Sequence, residues 1–301
     1  MPDDGPVASR ASDSASVGAL VGEVLALLQP SFGDDALREA RELIAALYDM
    51  PRHWPLVAQD HPLDERDRAR ALRAAARRAR GAPMQYAVGQ AAFRHLTLDV
   101  DERVLIPRPE TERLVDLVLD RLRDAPGGIV VDVGTGSGAI ALALASEGRA
   151  DTIIGTDISL DALAVARANL RRCAPVLRTP VELRAGSLLG GVPERPLRAV
   201  VSNPPYISWD ERDALPASVR DWEPAVALYS DADGMATTAR LVREAGAALE
   251  AGGLLALEID VRRASVAAEL VATDGAYEQV QVVLDLTGRE RFVVARRREA
   301  E

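Results

Sequence analysis

The sequence predicts an α/β protein in which a doubly wound parallel sheet follows a small N-terminal helical domain and a β-hairpin linker. Three observations predict this fold class. Apolar residues have helical spacing up to about residue 80, they alternate over 91–100, and short strands alternate with helices from residue 129 onward. A chain of 301 residues is long enough for one large domain and one small one.

The composition is that of a globular protein and narrows the possible functions. Hydrophobic residues make up 48%, charged residues 27%, and the net charge is −10 at pH 7. An acidic chain is poorly suited to sequence-independent binding of nucleic acid, which relies on clustered positive charge. No window approaches the roughly 20 apolar residues of a membrane helix, and residues 1–16 lack the apolar core of a secretory signal. We therefore expect a cytoplasmic protein without membrane or direct nucleic-acid partners.

Cysteine and lysine usage restricts the chemistry further. Cys173 is the single cysteine, and all 36 basic residues are arginine. One cysteine excludes a disulfide framework within the chain and any multi-cysteine metal site. The lack of lysine excludes both a lysine Schiff base and a P-loop lysine. We expect a protein that uses no metal.

The N-terminal third divides into a flexible tail, residues 1–16, and a helical domain, residues 17–83. Apolar residues recur at three- and four-residue spacing in this domain. Pro30 and Gly33 are expected to end its first helix. A further helix is predicted over 63–79, where acids at the start and arginines at the end suit the helix dipole.

The remainder of the chain is predicted to form the linker, residues 84–106, and the large domain, residues 107–301. Short apolar runs alternate with helical segments in the large domain, which is typical of a parallel sheet with helices on both faces. The predicted strands are 129–133, 152–156, 181–185, 199–202 and 254–259, and an antiparallel hairpin over 280–284 and 291–295 closes the sheet edge.

A glycine-rich loop follows the first predicted strand of this sheet. It reads Gly134-Thr135-Gly136-Ser137-Gly138. Its spacing is tighter than that of the dinucleotide fingerprint, and no lysine follows as in a P-loop. Asp157 ends the next strand, where a carboxylate can accept both hydroxyls of a ribose. Together with Asp132, these residues predict a site for S-adenosylmethionine, although a purely structural turn and a helix-capping role for Asp157 remain alternatives.

A second motif follows the fourth predicted strand and reads Asn203-Pro204-Pro205-Tyr206. The carboxyl ends of parallel strands meet at one edge, so we expect this motif beside the glycine loop. Asn203 supplies an acceptor oxygen, the prolines fix a turn that leaves carbonyls free, and Tyr206 supplies a flat ring. This set suits a planar amino group, because the acceptors interact more strongly as the attacking nitrogen gains positive charge. We predict N-methylation with Asn203, Pro204 and Tyr206 as catalytic residues; a proline turn with a buried tyrosine is the alternative.

Several segments give the chain a resemblance to the HemK-type protein-(glutamine-N5) methyltransferases, which modify the Gly-Gly-Gln motif of peptide-chain release factors. These segments are the run Val104-Leu105-Ile106-Pro107-Arg108-Pro109-Glu110-Thr111-Glu112, the glycine loop, the motif Asn203-Pro204-Pro205-Tyr206-Ile207, Glu223-Pro224, Asp233-Gly234 and Asp285-Leu286-Thr287-Gly288-Arg289. The resemblance spans about residues 17–298 and is most specific in the Pro-Arg-Pro-Glu-Thr-Glu run.

The resemblance implies a Rossmann-like class I methyltransferase fold and a role for each matched position. The glycine loop and Asp157 would bind S-adenosylmethionine. Ser187 and Leu188 would contact its adenine, although the family often carries Asp at the position of Ser187. Asn203, with the three residues after it, would hold the glutamine amide. Arg108 and Glu110, within 108–111, would line the entrance, and the helical domain would dock the release factor.

Other functions remain open from the sequence alone. Enzymes that methylate the amino group of adenine in nucleic acid share the Asn-Pro-Pro-Tyr motif, and ribosomal-protein glutamine methyltransferases are related. A non-catalytic binding module and a dinucleotide oxidoreductase are further alternatives, the latter disfavoured by the spacing of the glycines. The arginine-rich stretch 68–80 is interpreted as a solvated helix face or a docking surface for an acidic protein rather than a nucleic-acid site.

Overall fold

The computed structural model describes residues 16–124 and 126–299. The predicted N-terminal tail lies outside the described residues apart from Ser16. The chain divides into two compact units after Val88. The boundary predicted after residue 83 is therefore corrected, because 84–88 form a helix and Val88 packs into the core of the first unit. The predicted linker does not stand apart, since its hairpin belongs to the second unit.

The first unit is helical, as the periodicity predicts. Its helices are α1 (Val17–Phe32), α2 (Ala36–Leu47), α3 (Trp54–Val57), α4 (Glu65–Ala79) and α5 (Met84–Val88). Ser16 and Asp64 cap α1 and α4, each accepting a hydrogen bond from a backbone N–H three residues on. Pro30 was wrongly expected to end α1: it lies inside the last turn, where its missing N–H removes one bond, and the helix ends before Gly33, whose φ is 51°.

The second unit begins with a β-hairpin and continues into the α/β domain. Its strands are β1 (Gln90–Phe93), β2 (Leu96–Asp99), β3 (Ile129–Val133), β4 (Thr152–Asp157), β5 (Val181–Ala185), β6 (Leu197–Ser202), β7 (Leu249–Glu258), β8 (Tyr277–Leu284) and β9 (Glu290–Arg297). Its helices are α6 (Pro109–Leu122), α7 (Ala139–Glu147), α8 (Leu160–Cys173), α9 (Ala217–Arg220), α10 (Ala225–Leu228), α11 (Asp231–Gly234), α12 (Ala236–Ala248) and α13 (Ala264–Thr273).

The main sheet is doubly wound. Its strand order is β5-β4-β3-β6-β7-β9-β8. The five strands from β5 to β7 are parallel, β9 is antiparallel to β7, and β8 pairs with β9 as the predicted closing hairpin. The chain runs outward from β3 to β5 and returns to β6 on the other side of β3. This reversal makes the space beyond β3 and β6 a topological switch point, where ligands bind in open α/β sheets.

Helices cover both faces of this sheet, and successive strand residues enter opposite cores. Val130 packs into the core that includes α6 and α7, whereas Val131 packs into the core that includes α12 and α13. On β6, Val201 packs into the first of these cores and Val200 into the second. A slip of one residue would exchange the two faces, so this double burial fixes the register and the residues that emerge at the carboxyl edge.

Candidate active site

A cavity of about 730 Å³ opens at the carboxyl edge of the sheet, within the range usual for small-molecule sites. The predicted site residues that line it are Gly134, Gly136, Asp157, Ser187, Leu188, Asn203, Pro204 and Pro205. The predicted residues that do not line it are Thr135, Ser137, Gly138, Tyr206, Arg108 and Glu110. The structure thus brings the two motifs to one cavity. The other six predicted residues lie outside its lining.

Asp157 ties the end of β4 to the glycine loop. Its Oδ2 accepts a hydrogen bond from Gly136 N at 2.9 Å, and its Oδ1 accepts one from Ser159 N at 2.8 Å. Ser159 itself caps α8, accepting a bond from Ala162 N. Burial raises the pKa of Asp157, against these hydrogen bonds. The carboxylate is therefore held in place at the cavity wall rather than used as the cap of α8.

A second carboxylate, that of Asp132, holds the glycine loop and the start of α7 by hydrogen bonds. Asp132 is fully buried, and its Oδ2 accepts bonds from Thr135 Oγ1 at 2.6 Å and Ala141 N at 3.1 Å. Burial raises the pKa of Asp132 to about 7. Gly134 has a φ of 73°, and a Cβ built there would meet no atom within 4 Å, so its backbone faces open space.

The last part of the glycine loop, Ser137 and Gly138, leads into α7 and does not line the cavity. Ser137 is buried, and its carbonyl accepts a hydrogen bond from Asn169 Nδ2 at 2.9 Å. Gly138 precedes α7 with a φ of 86°. These contacts orient the start of α7 beneath the loop. A direct role of Thr135, Ser137 or Gly138 in donor binding stays a prediction.

Asn203 projects from the end of β6 into the cavity wall. Its Nδ2 donates to Thr111 Oγ1, on α6, at 3.3 Å. Among residues 16–124 and 126–299, no donor is bonded to Asn203 Oδ1. The side chain therefore turns its amino end toward the protein and leaves its oxygen as an available acceptor. Pro204 is buried and Pro205 partly buried beside it.

Tyr206 is the last residue of the Asn-Pro-Pro-Tyr turn and does not line the cavity. Burial and the neighbouring Glu258 raise the pKa of its phenol. Its carbonyl lies against Gly234, where an added Cβ would come within 2.2 Å of Tyr206 O. The chain around Gly234 has positive φ at Ala232, Asp233 and Gly234, at 51°, 55° and 85°. The turn and this segment thus fit together only when residue 234 has no side chain.

Arg108 and Glu110 lie at the start of α6. Arg108 Nη2 donates to Glu223 Oε1 at 2.5 Å, and the Glu223 side chain is only 1% exposed. Glu110 is exposed. The ion pair holds the segment before α6 against the buried Glu223. A role for either residue at the entrance stays a prediction.

The cavity has an aromatic wall that the sequence analysis missed. The rings of Trp209 and Tyr229 stack with centroids 4.4 Å apart and an interplanar angle of 19°, and both residues line the cavity. Trp209 remains 52% exposed. No spacing rule links two aromatic residues in separate loops.

The sequence analysis also missed Glu258, the last residue of β7. The sequence did carry a signal here, because a buried acid at the end of a long apolar strand is unusual.

In residues 16–124 and 126–299, no group of three or more histidine, cysteine or acidic side chains is arranged to hold a metal ion. Within the same ranges, no helix combines the length and apolar character needed to span a membrane.

Family models match both units of the chain. Residues 112–215 match the methyltransferase small domain, and residues 22–89 match the PrmC N-terminal domain. The first match covers the glycine loop and the Asn-Pro-Pro-Tyr motif. With the doubly wound sheet, it defines the chain as a methyltransferase with the Rossmann-like class I fold.

Curated relatives are similar over most of the chain. A release factor glutamine methyltransferase from Deinococcus radiodurans is 40% identical over 259 residues, which cover 86% of this chain and 90% of that protein. The proteins of the same name from Rhodopirellula baltica and Gloeobacter violaceus are 40% and 42% identical, over 72% and 70% of this chain and 74% and 73% of theirs. The chain belongs to the family of release factor glutamine methyltransferases.

The close approach at Gly234 generates a prediction. Gly234→Ala should lower both the free energy of unfolding and the rate of methyl transfer, because its Cβ displaces the Tyr206 carbonyl and with it the turn that carries Asn203. Gly288→Ala is the matched control, since Gly288 has a φ of 80° but open space around it. The control should lose only about 1–2 kcal/mol of stability through backbone strain and keep its rate. Equal effects of the two substitutions, measured by denaturant unfolding and single-turnover transfer, would contradict this explanation.

Proposed function

We propose that the protein transfers a methyl group from S-adenosyl-L-methionine to the side-chain amide nitrogen, N5, of the glutamine in the Gly-Gly-Gln motif of peptide-chain release factors. The observation that carries this proposal is the position of Asn203: its amide oxygen is left as an acceptor in the same cavity as Asp157 and the glycine loop. The names of the relatives support the substrate. We expect the reaction to take place in the cytoplasm.

The residues around the cavity fit the proposed donor. Asp157 keeps lone pairs beyond its two backbone bonds, and these suit the hydroxyls of a ribose. Gly134 leaves room for the methionine part to lie against the backbone. Ser187 and Leu188 flank the space where we place the adenine. When bound, the donor supplies an electrophilic methyl group on a sulfonium.

The Asn-Pro-Pro-Tyr turn is proposed to hold and activate the target amide. Asn203 Oδ1 and the Pro204 carbonyl would each accept one N–H of the glutamine side chain. An amide nitrogen is a weak nucleophile because its lone pair is delocalised. Fixed acceptors interact more strongly with the N–H groups as this nitrogen becomes positive, so they lower the barrier more than they strengthen ground-state binding. The proton then leaves after the methyl transfer, without a dedicated base.

The neighbouring residues have supporting roles in this proposal. Pro205 completes the turn that holds the amide, and the ring of Tyr206, which does not line the cavity, would support this turn from behind. Arg108 and Glu110 would border the path of the substrate chain. No metal ion takes part in the proposed reaction. Family membership favours a glutamine amide over the adenine amino group, which the Asn-Pro-Pro-Tyr turn alone does not exclude.

The helical unit is proposed to dock the release factor. Its helix α4 buries alanines, Ala71, Ala74 and Ala75, and presents arginines on the opposite side. Arg70 and Arg73 are exposed there, whereas Arg68 forms ion pairs with acids of the same unit. Exposed positive charge on an otherwise acidic chain favours a partner with an acidic surface.

The direct test of the proposed function is transfer of a labelled methyl group to purified release factor. We expect label in the wild-type factor and none in a factor whose Gly-Gly-Gln glutamine is replaced by alanine. An oligonucleotide rich in adenine serves as a second acceptor. Label in the oligonucleotide but not in the release factor would overturn the proposal.

Donor binding is predicted to depend on Asp157. Asp157→Asn should weaken S-adenosylmethionine binding by about 1–3 kcal/mol, because a charged acceptor for the ribose is lost. Asp151→Asn is the matched control: Asp151 also accepts a bond from a glycine N–H, that of Gly128 at 2.8 Å, but at the opposite end of β4. Titration calorimetry should find wild-type affinity in the control. Unchanged affinity in Asp157→Asn would exclude the ribose contact.

Catalysis is predicted to depend on Asn203. Asn203→Ala should slow single-turnover transfer at saturating donor and substrate by about 10²–10³, the usual cost of removing one fixed polar contact to a transition state. Tyr206→Phe keeps the ring and should be much milder than Tyr206→Ala. A near-normal rate for Asn203→Ala rules out the mechanism. Equal damage from the two Tyr206 variants would assign the role to the hydroxyl.

Docking is predicted to depend on the exposed arginines of α4. The double substitution Arg70→Glu and Arg73→Glu should raise KM for whole release factor at least tenfold at low salt, through lost electrostatic attraction. Donor affinity should not change. Because exposed charges are screened by salt, the difference should shrink as ionic strength rises. A KM equal to that of the wild type at low salt would remove α4 from the docking surface.

A further inference from the structure

A buried carboxylate lies directly beside the catalytic turn. In the parallel pairing of β6 with β7, Ser202 is opposite Leu257, so the next residues, Asn203 and Glu258, lie side by side at the carboxyl edge of the sheet. Glu258 is 2% exposed. Its Oε2 has no hydrogen-bond partner among residues 16–124 and 126–299. The proposed chemistry assigns no role to this costly buried group.

Thr111 connects Glu258 to Asn203. Its side chain is buried on α6, where Oγ1 accepts the bond from Asn203 Nδ2 at 3.3 Å. Burial raises the pKa of Glu258 to about 7, and a hydrogen bond from Thr111 is the strongest influence that opposes this rise. Thr111 is therefore near both groups, and a hydrogen bond from its hydroxyl to Glu258 would let one hydroxyl serve both the amide and the carboxylate.

Because a hydroxyl has a single proton, Thr111 can donate a hydrogen bond to only one of its two neighbours, Glu258 or Asn203. An ionised carboxylate accepts but cannot donate, so the Thr111 proton is directed to Glu258. Only lone pairs of Thr111 Oγ1 remain for Asn203, which must offer its amino group. The two ends of an asparagine amide are nearly equal in size, so hydrogen bonding alone decides which end faces the cavity.

We propose that Glu258 is a positioning residue for methyl transfer: through Thr111, its ionised carboxylate turns the oxygen of Asn203 toward the target amide. The inference rests on the proposed function of Asn203 and deepens it. A protonated Glu258 donates to Thr111, whose own proton then becomes available to the oxygen of Asn203. The amide is free to turn over, and the acceptor in the cavity is lost.

The sign of the pH dependence follows from the groups around Glu258. Arg291 on β9 and Arg108 before α6 lower its pKa, Glu110 raises it, and burial has the largest effect. Tyr206 also faces the carboxyl and stays neutral in this range, since its own pKa is raised. Ionised Glu258 is present above its pKa near 7. The rate is therefore expected to be full above this pH and to fall about tenfold for each unit below it.

The kinetic test uses single-turnover transfer at saturating donor and release factor between pH 5.5 and 9. Thr111→Val should be more than tenfold slower at pH 8 and should lose the acidic fall in rate, with unchanged donor affinity. Thr111→Ser keeps the hydroxyl and should restore both the rate and the fall. Glu258→Gln should remove the pH dependence without lowering the melting temperature, because it removes a buried charge. Glu250→Gln, at the other end of β7, is the matched control and should behave as the wild type.

A second readout does not require activity. The chain has two asparagines, Asn169 and Asn203, so asparagine labelled with ¹⁵N in its side chain gives two pairs of amide signals. The Asn203 pair should shift with the pKa of Glu258 and cease to do so in Glu258→Gln. Asn169 is the internal control, since it bonds backbone groups of Asp99 and Ser137.

The outcomes separate this inference from the proposed function. An acidic fall in rate that persists in Thr111→Val, or an Asn203 signal that does not titrate in the wild type, overturns the positioning role while transfer to the release factor stands. If the Asn203 signal titrates as expected but wild-type enzyme methylates no release factor, the proposed function fails and the orientation by Glu258 stands.

Discussion

The parallel register of β3, β6 and β7 is the constraint on which the site depends. Val133 pairs with Ser202, and Ser202 pairs with Leu257. The residues that follow these three, one in the glycine loop, one in the Asn-Pro-Pro-Tyr turn and one acid, therefore emerge in a row. Because both faces of each strand are buried, no strand can slip by one residue without exchanging its two cores. Packing far from the cavity thus determines which side chains meet in it.

The carboxyl edge concentrates charges that stability alone does not explain. Asp132 and Glu258 are both buried, and burial raises the pKa of each to about 7. Ionised carboxylates in such positions disfavour the folded state, and partial hydrogen bonding offsets only part of that cost. Each one orients a neighbour at the cavity: Asp132 shapes the glycine loop, and Glu258 lies beside Asn203. Burial of the large apolar cores on both faces of the sheet offsets the remaining free-energy cost of these carboxylates.

Local sequence patterns predicted the framework and the motifs, but not the contacts made through space. The strands 129–133 and 181–185 are confirmed to the residue, since glycine or proline bounds each of these segments. The strand predicted over 254–259 begins earlier, at Leu249, because Gly252 and Gly253 suggest a turn within what the structure shows as one strand. Likewise, Thr111 and Glu258 come together only through the packing of α6 near β7. No spacing rule in the sequence connects two such distant residues.

Specificity for a glutamine side chain has to arise outside the Asn-Pro-Pro-Tyr turn. The proposed acceptors would bind the N–H groups of any planar amino group, so the turn alone does not distinguish an amide from an aminopurine. The wall formed by Trp209 and Tyr229 supplies stacked aromatic surface in the cavity, and the acidic chain repels a phosphate backbone. The helical unit adds a separate surface whose positive charge suits an acidic protein. We therefore propose that chemistry at the cavity and selection of the partner belong to different parts of the chain, so that a change in one need not alter the other.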